Sequence, residues 1–324
     1  MKLASLSLDL DNKWSYMKTH GDAGWESFPS YFDILIPRTL NLLKKHDLTI
    51  TFFVVGQDAA LEKNHAALKQ ITNAGHEIGN HSFKHEPWLH LYTDQEIETE
   101  LRSAQDAIEH ATGYRTTGFR GPGFSCSASV LATLKRLGYA YDCSTFPTFL
   151  GPLARLYYFM HSGLSKAELK TRKQLFGKFT EGFRPLKPYS WTTSEGELTE
   201  IPVTTMPLFK VPIHASYILY LSCYSTALAM FYFRMALLLC QITRTPPSIL
   251  LHPLDFLGGD DEKDLSFFPA MNLPGKKKLA IMDRIFTMLK KHYTVVDMKT
   301  HATAIEKGAA LRSAIPNFPG AVPA

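Results

Sequence analysis

The chain has 324 residues, 45% of them hydrophobic and 20% charged, with a formal charge of +5. These values mark an ordinary globular protein with enough apolar material for a sizeable core, in one large or two smaller domains. The mild positive charge is not gathered into a basic stripe interleaved with aromatics, which argues against a nucleic-acid partner. Cys126, Cys143, Cys223 and Cys240 form no Cys-x-x-Cys, which excludes a zinc ribbon or redox pair and predicts buried free thiols. Met1 to Ser5 runs straight into strand-like sequence without a charged and then apolar leader, so a cytoplasmic protein is expected.

Leu3 to Leu10 reads as a strand that stops at an acidic pair, Asp9 and Asp11. Residues 12–32 form a long polar-aromatic segment with Trp14, Tyr16, Trp25, Phe28, Tyr31 and Phe32; loops of that length inside a compact domain are usually functional. Helical spacing follows from Phe32 to His46, then a strand from Leu48 to Val55. A helix from Leu61 to Asn73 ends at Gly75, and His76 to Gly79 is a short strand. Thr93 and Glu96 form a capping box for a helix that runs to about Ala111. Strand character returns at Thr117 to Phe119 and Tyr139 to Tyr141, either side of a helix from Ser127 to Leu137. This alternation predicts a parallel sheet or barrel.

Residues 146–200 are less regular and include a basic helical piece around Lys166 to Lys178. Leu198 to Val203 and Ser248 to Leu251 read as strands, Lys276 to His292 as a helix, and Tyr293 to Met298 as the last strand. The Ala- and Pro-rich tail, residues 310–324, is expected to be disordered. Val211 to Phe233 holds no Asp, Glu, Lys or Arg and is long enough to suggest a membrane span. A crossing there would put His252 on the opposite side of the bilayer from Asp9, so a buried core helix or a helix lying on a membrane is expected, with peripheral contact through 211–244.

The chemistry concentrates at strand ends, where α/β proteins bind ligands. His81-Ser82-Phe83-Lys84-His85 offers two imidazoles that, with a carboxylate, suit a divalent metal and leave a coordination position open. A twisting strand end can bring both Asp9 and Asp11 to the rim. Arg120-Gly121-Pro122-Gly123 presents a fork of donors on a fixed turn. His252 follows an apolar strand, with Asp255 and Asp142 as candidate partners.

Taken together, these fragments resemble the polysaccharide deacetylases, carbohydrate esterases with the NodB homology domain, over roughly residues 4–145 and 248–298. Asp9-Leu10-Asp11, His81 to His85, Arg120-Gly121-Pro122 and Leu251-His252 match that family's motifs in order. Asp142 to Phe146 stands where the family usually has Asp and, four residues on, Trp. The resemblance implies an α/β fold, a distorted (β/α) barrel over 1–309 with an inserted helical segment at about 146–247. It implies that Asp11, His81 and His85 bind a divalent metal, most often zinc. Asp9 is then the general base, Arg120 orients it, His252 is the general acid tuned by Asp142, and the Phe124 amide joins the oxyanion site. Trp14, Trp25 and Gly123 are expected substrate contacts.

The expected reaction removes an N-acetyl or N-formyl group from a sugar in cell-envelope glycan synthesis. With no leader expected and an apolar segment present, a polyprenyl-phosphate-linked or nucleotide-linked amino sugar at the inner membrane face is the expected substrate. Glu200-Ile201-Pro202-Val203-Thr204 also looks like its counterpart in the lipid-linked branch of the family. The alternatives are an O-acetyl sugar esterase, a non-catalytic sugar-binding pseudoenzyme, and an interaction protein whose apolar helix docks a partner.

Overall fold

The computed structural model describes residues 2–153, 179–308 and 310–318. Its strands are β1 (Leu3–Leu10), β2 (Thr51–Val54), β3 (Glu77–Asn80), β4 (Gly118–Phe119), β5 (Tyr141–Asp142), β6 (Tyr189–Thr193), β7 (Gly196–Glu200), β8 (Ser248–Leu251), β9 (Thr294–Val296) and β10 (Ser313–Ala314). They join in the order β10-β6-β7-β5-β4-β3-β2-β1-β8, with β9 also on β1. Neighbours are parallel except for the β6–β7 hairpin. Past β7, the Thr204 N–H donates to the Ser248 carbonyl at 2.9 Å, and the Ser248 N–H to Thr204 Oγ1 at 2.8 Å. These bonds carry the sheet round to β8, giving an irregular α/β barrel.

The alternation in β1 explains its place. Ala4, Leu6, Leu8 and Leu10 belong to the main apolar cluster, where they pack with the surrounding helices. Ser5, Ser7 and Asp9 take the other face and are buried too. A strand buried on both sides needs neighbours on both edges, and β2 and β8 provide them. The helices between strands follow their sequence signals. Thr93 and Glu96 form the expected capping box on Asp94–Thr112, and Gly75 sits at φ 81 beyond Glu62–Asn73.

Several expectations are corrected. The 12–32 segment is not a loop throughout: Asn12 caps a helix over Lys13–His20, Gly21 closes it at φ 96, and Trp25–Ser27 is a 3₁₀ turn. The helix has almost no apolar periodicity, but Trp14, Ser15 and Tyr16 are buried and its ends are capped. The last strand stops at Val296, where Asp297 caps a further helix, Met298–Glu306. The tail is ordered between 310 and 318. There β10 pairs with β6, and Phe318 lies 5.7 Å from the Trp191 ring. Val211 to Phe233 is not one helix; Ala215–Ser222 and Thr226–Thr243 are separate, with Ser225 capping the second. The expected helix around Lys166 to Lys178 lies outside the described residues.

Gly118 packs directly on a buried neighbour: an added Cβ would meet Tyr141 Cζ at 2.0 Å. Tyr141 cannot move aside, because it is buried and donates to Glu77 at 2.8 Å. Gly118→Ala is therefore expected to destabilise the fold by about 1–3 kcal/mol through overpacking. A denaturant midpoint equal to wild type would contradict this.

Candidate metal and active site

Register assembles the site. Leu10 pairs with Val54, Val54 with Asn80, and Asn80 with Phe119. The residues one step further, Asp11, His81 and Arg120, therefore leave their strands at the same rim. Leu8 pairs with Leu251, which puts Asp9 level with His252. Asp9 and Asp11 share the parity of Ser5 and Ser7, so both carboxylates face the barrel interior without any special twist.

Asp11, His81 and His85 each bring a ligand atom within 4.8 Å of the others. His81 Nδ1 donates to the Arg120 carbonyl at 2.6 Å, which leaves the Nε2 lone pair facing Asp11. His81 Nε2 lies 3.4 Å, and His85 Nε2 2.9 Å, from Asp11 Oδ1. With the two imidazoles neutral, that buried oxygen accepts no hydrogen bond among the described residues. Converging electron-pair donors around a buried, unpartnered oxygen are what a divalent cation would satisfy. Burial alone would raise the Asp11 carboxyl. When no ion lies between them and the rings are protonated, the His85 charge and hydrogen bonds from His81 and His85 outweigh burial and hold the group well below the usual carboxylate range.

The loop carrying these imidazoles is strained and braced. Ser82 and His85 adopt φ of 61° and 55°, unusual for side chains with a Cβ. Gly56 N–H bonds the Ser82 carbonyl at 2.8 Å, and Gln57 N–H the Phe83 carbonyl at 2.9 Å. Glu100, from the Asp94–Thr112 helix, accepts the Phe83 and Lys84 amides at 3.1 and 2.9 Å. Glu100 carries no motif signal in the sequence; its place on the buried face of an amphipathic helix was the only available hint.

Asp9 pairs with Arg120 at 2.6 Å, and both are buried. The guanidinium also donates from Nε to the Cys143 carbonyl at 3.1 Å and lies 4.4 Å over the Phe53 ring. The Phe53 ring contact and the carbonyl bond fix its direction, so Arg120 fixes Asp9 in turn.

His252 is half-buried and is held through Nδ1 by Ser216 Oγ at 3.1 Å. Its own amide donates to Asp255 at 2.8 Å, and Asp255 also takes a hydrogen bond from Ser216. Asp142 makes no such contact, contrary to expectation. It accepts from Ser144 at 2.6 Å, and Ser144 in turn accepts the Gly121 amide at 2.8 Å. It pairs with buried Glu200, whose carboxyl is pushed well above the usual range by burial and by the Asp142 charge. Register gives the reason: the partner of Asp142 across β5 and β7 is Glu200, whereas β8, which leads into His252, pairs with β1. Asp142 thus braces the Arg120–Gly123 turn.

The Phe124 amide is already committed, donating to the Gly121 carbonyl at 2.9 Å. It cannot serve an oxyanion as expected; the preceding Gly123 amide has no bond of that kind. Trp14 is buried and donates from Nε1 to Asp58 at 2.9 Å, so it is a floor and not a contact surface. Trp25 is half-buried, with the Lys18 ammonium 5.0 Å from its ring and Trp14 and Phe28 each 6.4 Å away. An aromatic row runs from the Arg120 turn to His252. Phe124 stacks on Phe146 at 4.9 Å, Phe146 meets His214 at 5.6 Å, and His214 lies 6.2 Å from His252. Burial, then the His252 charge, lowers His214 to about 3, so it is neutral. Phe146 thus stands between the Phe124 and His214 rings. His214 and Ser216 escaped sequence reasoning because they sit inside the apolar stretch.

Residues 22–141 match the family profile described as "Polysaccharide deacetylase". Those residues are similar to a polysaccharide deacetylase domain. The chain is 39% identical over 104 residues to peptidoglycan-N-acetylmuramic acid deacetylase PdaA of Bacillus subtilis, covering 32% of this chain and 38% of that protein. It is 34% identical over 112 residues to a peptidoglycan deacetylase of Helicobacter pylori, covering 35% and 37%. The chain thus spans under two-fifths of the length of either relative. A crystal structure from Mycobacterium smegmatis, described as a candidate polysaccharide deacetylase, superposes with a TM-score of 0.62. It covers 98% of this chain and 96% of the other at 17% identity, so it shows the shared fold. The deacetylase profile contains His81, His85 and Arg120 but neither Asp9, Asp11 nor His252; strand pairing brings those in.

If Asp11, His81 and His85 form one metal centre, Asp11→Asn should leave purified protein with at least about tenfold less bound divalent metal. Elemental analysis per chain checks this, and wild-type metal content in the variant would contradict it. Arg120→Ala leaves Asp9 buried without a partner, with an expected cost of about 3–5 kcal/mol in chemical denaturation.

Proposed function

We propose that this protein is a metal-dependent amidohydrolase that removes an N-acyl group from an amino sugar. The observation that carries the proposal is that the Asp9–Arg120 pair, the Asp11–His81–His85 donors and His252 meet at one barrel rim. Asp11, His81 and His85 would hold a divalent ion, for which we propose zinc, and such an ion would supply Lewis acidity toward the acyl carbonyl and water. Asp9, aimed by Arg120, takes a proton from the attacking water as its oxygen bonds the acyl carbon. We assign the oxyanion donor to the Gly123 amide, since the Phe124 amide is taken by the Gly121 carbonyl. The carbon–nitrogen bond then breaks, His252 protonates the departing amine, and the acyl group leaves as a carboxylic acid. Ser216 keeps the His252 ring turned for that transfer. The Phe124–Phe146–His214 row excludes water from the acyl side.

For the substrate, we propose an acylated amino sugar carried on a polyprenyl phosphate or a nucleotide, met at the cytoplasmic face of a membrane. The long acid-free apolar stretch beside His252 supports the lipid-linked form. Named relatives act on peptidoglycan and chitin, which supports N-acetylated sugars as the chemical class.

Asp9→Asn should lower amine release from a panel of free, nucleotide-linked and polyprenyl-linked N-acyl sugars by about a hundred- to ten-thousand-fold, with metal content unchanged. Unaltered turnover would remove Asp9 as the base. Ser216→Ala should lower kcat by about tenfold with KM nearly constant, because only the ring's aim is lost. A change confined to KM would contradict the positioning role.

A further inference from the structure

Thr226–Thr243 is apolar on both of its sides. Ala229, Phe233, Ala236, Leu237 and Cys240 are buried and pack into the main apolar cluster. The opposite side is solvent-facing: Leu228 and Phe231 are each 59% exposed, Leu238 43% and Ile242 67%, with Met235 half-buried between them. Tyr224, 74% exposed, continues the line just before the helix. At about 100° per residue these side chains fall within roughly 40° of one line. A surface helix ordinarily turns charged residues outward there, so this face lacks its expected solvent. The packed side also rules out a crossing of the bilayer, although the helix has the length and composition for one.

Charge singles out the occupant. Between Glu200 and Asp255 the chain has no acidic residue at all. Arg234 and Arg244 are exposed at the flank and end of the apolar line. The neighbouring hairpin tip adds Leu208, 74% exposed, and Phe209, 63% exposed. It is tied to the helix by the Tyr232 hydroxyl, which donates to the Pro212 carbonyl at 2.8 Å. Exposed aliphatic and aromatic side chains, arginines alongside and no carboxylates form the pattern of a helix lying in the headgroup region of an anionic bilayer. We propose that this face docks the protein on an anionic lipid surface, with Leu228, Phe231, Leu238 and Ile242 entering the acyl boundary and Arg234 and Arg244 at the phosphates. The inference stands on surface chemistry alone and does not depend on the enzymatic reading.

The test is flotation of the full chain with vesicles of phosphatidylcholine alone or mixed with phosphatidylglycerol. The protein is expected to float with the anionic vesicles and to lose at least about tenfold in binding on high salt or on Arg234→Glu with Arg244→Glu. Phe231→Ser with Leu238→Ser should abolish binding while the thermal transition and turnover of a water-soluble N-acyl sugar stay at wild-type values. Failure of the wild-type chain to float, or full binding by the serine variant, overturns the proposal. So does lipid-free self-association that the serine variant abolishes in sedimentation, because the face would then belong to a second copy of this chain.

Discussion

β1 is hydrogen-bonded in parallel to β2 on one edge and to β8 on the other, and this pairing fixes everything at the rim. The strands that bear Asp9 and His252 are separated by most of the sequence, yet Leu8 and Leu251 are partners. A slip of one residue would turn Asp9 out of the barrel and Leu8 into it. The inward serines and outward leucines forbid that slip, because each face of β1 is buried in a different environment. The register is thus enforced by the same alternation that makes β1 a strand.

A second layer holds the rim residues in direction. Arg120 is clamped by the Cys143 carbonyl, the Phe53 ring and Asp9, while its carbonyl orients His81. One residue therefore links the proposed base to a proposed metal ligand through its two ends. Glu100 braces the histidine loop from outside, and Asp142 braces the Arg120 turn through Ser144. These supports are buried and polar, and between them they tie the rim loops to the strands and helices behind.

The residues with unusual chemistry were legible in the sequence because they stand at strand ends beside turn residues. His81, Arg120 and His252 each stand one residue past a short strand, β3, β4 and β8, and Asp9 and Asp11 flank the end of β1. Partners were less legible. Asp142 could be paired with His252 on paper, but strand order gives it Glu200 and Ser144. The Phe124 amide looked available until the local turn claimed it. Ser216 and His214 sit in a run of apolar residues that suggested one long helix. The break at Cys223–Ser225 depends on the Ser225 cap and on packing against Gly275–His292, which no local pattern encodes. Lys13–His20 was missed because caps and burial hold it without periodicity, and the tail because its strand is added by β6.

The central claim is that residues from both ends of the chain enclose one divalent ion. A crystal structure of the metal-loaded protein, with the ion located by anomalous scattering, tests it most directly. The account predicts a single ion about 2.0–2.2 Å from Asp11 and from the Nε2 atoms of His81 and His85, with Asp9 and His252 facing the same cleft. An ion bound elsewhere, or a His252 ring turned out of that cleft, would contradict it.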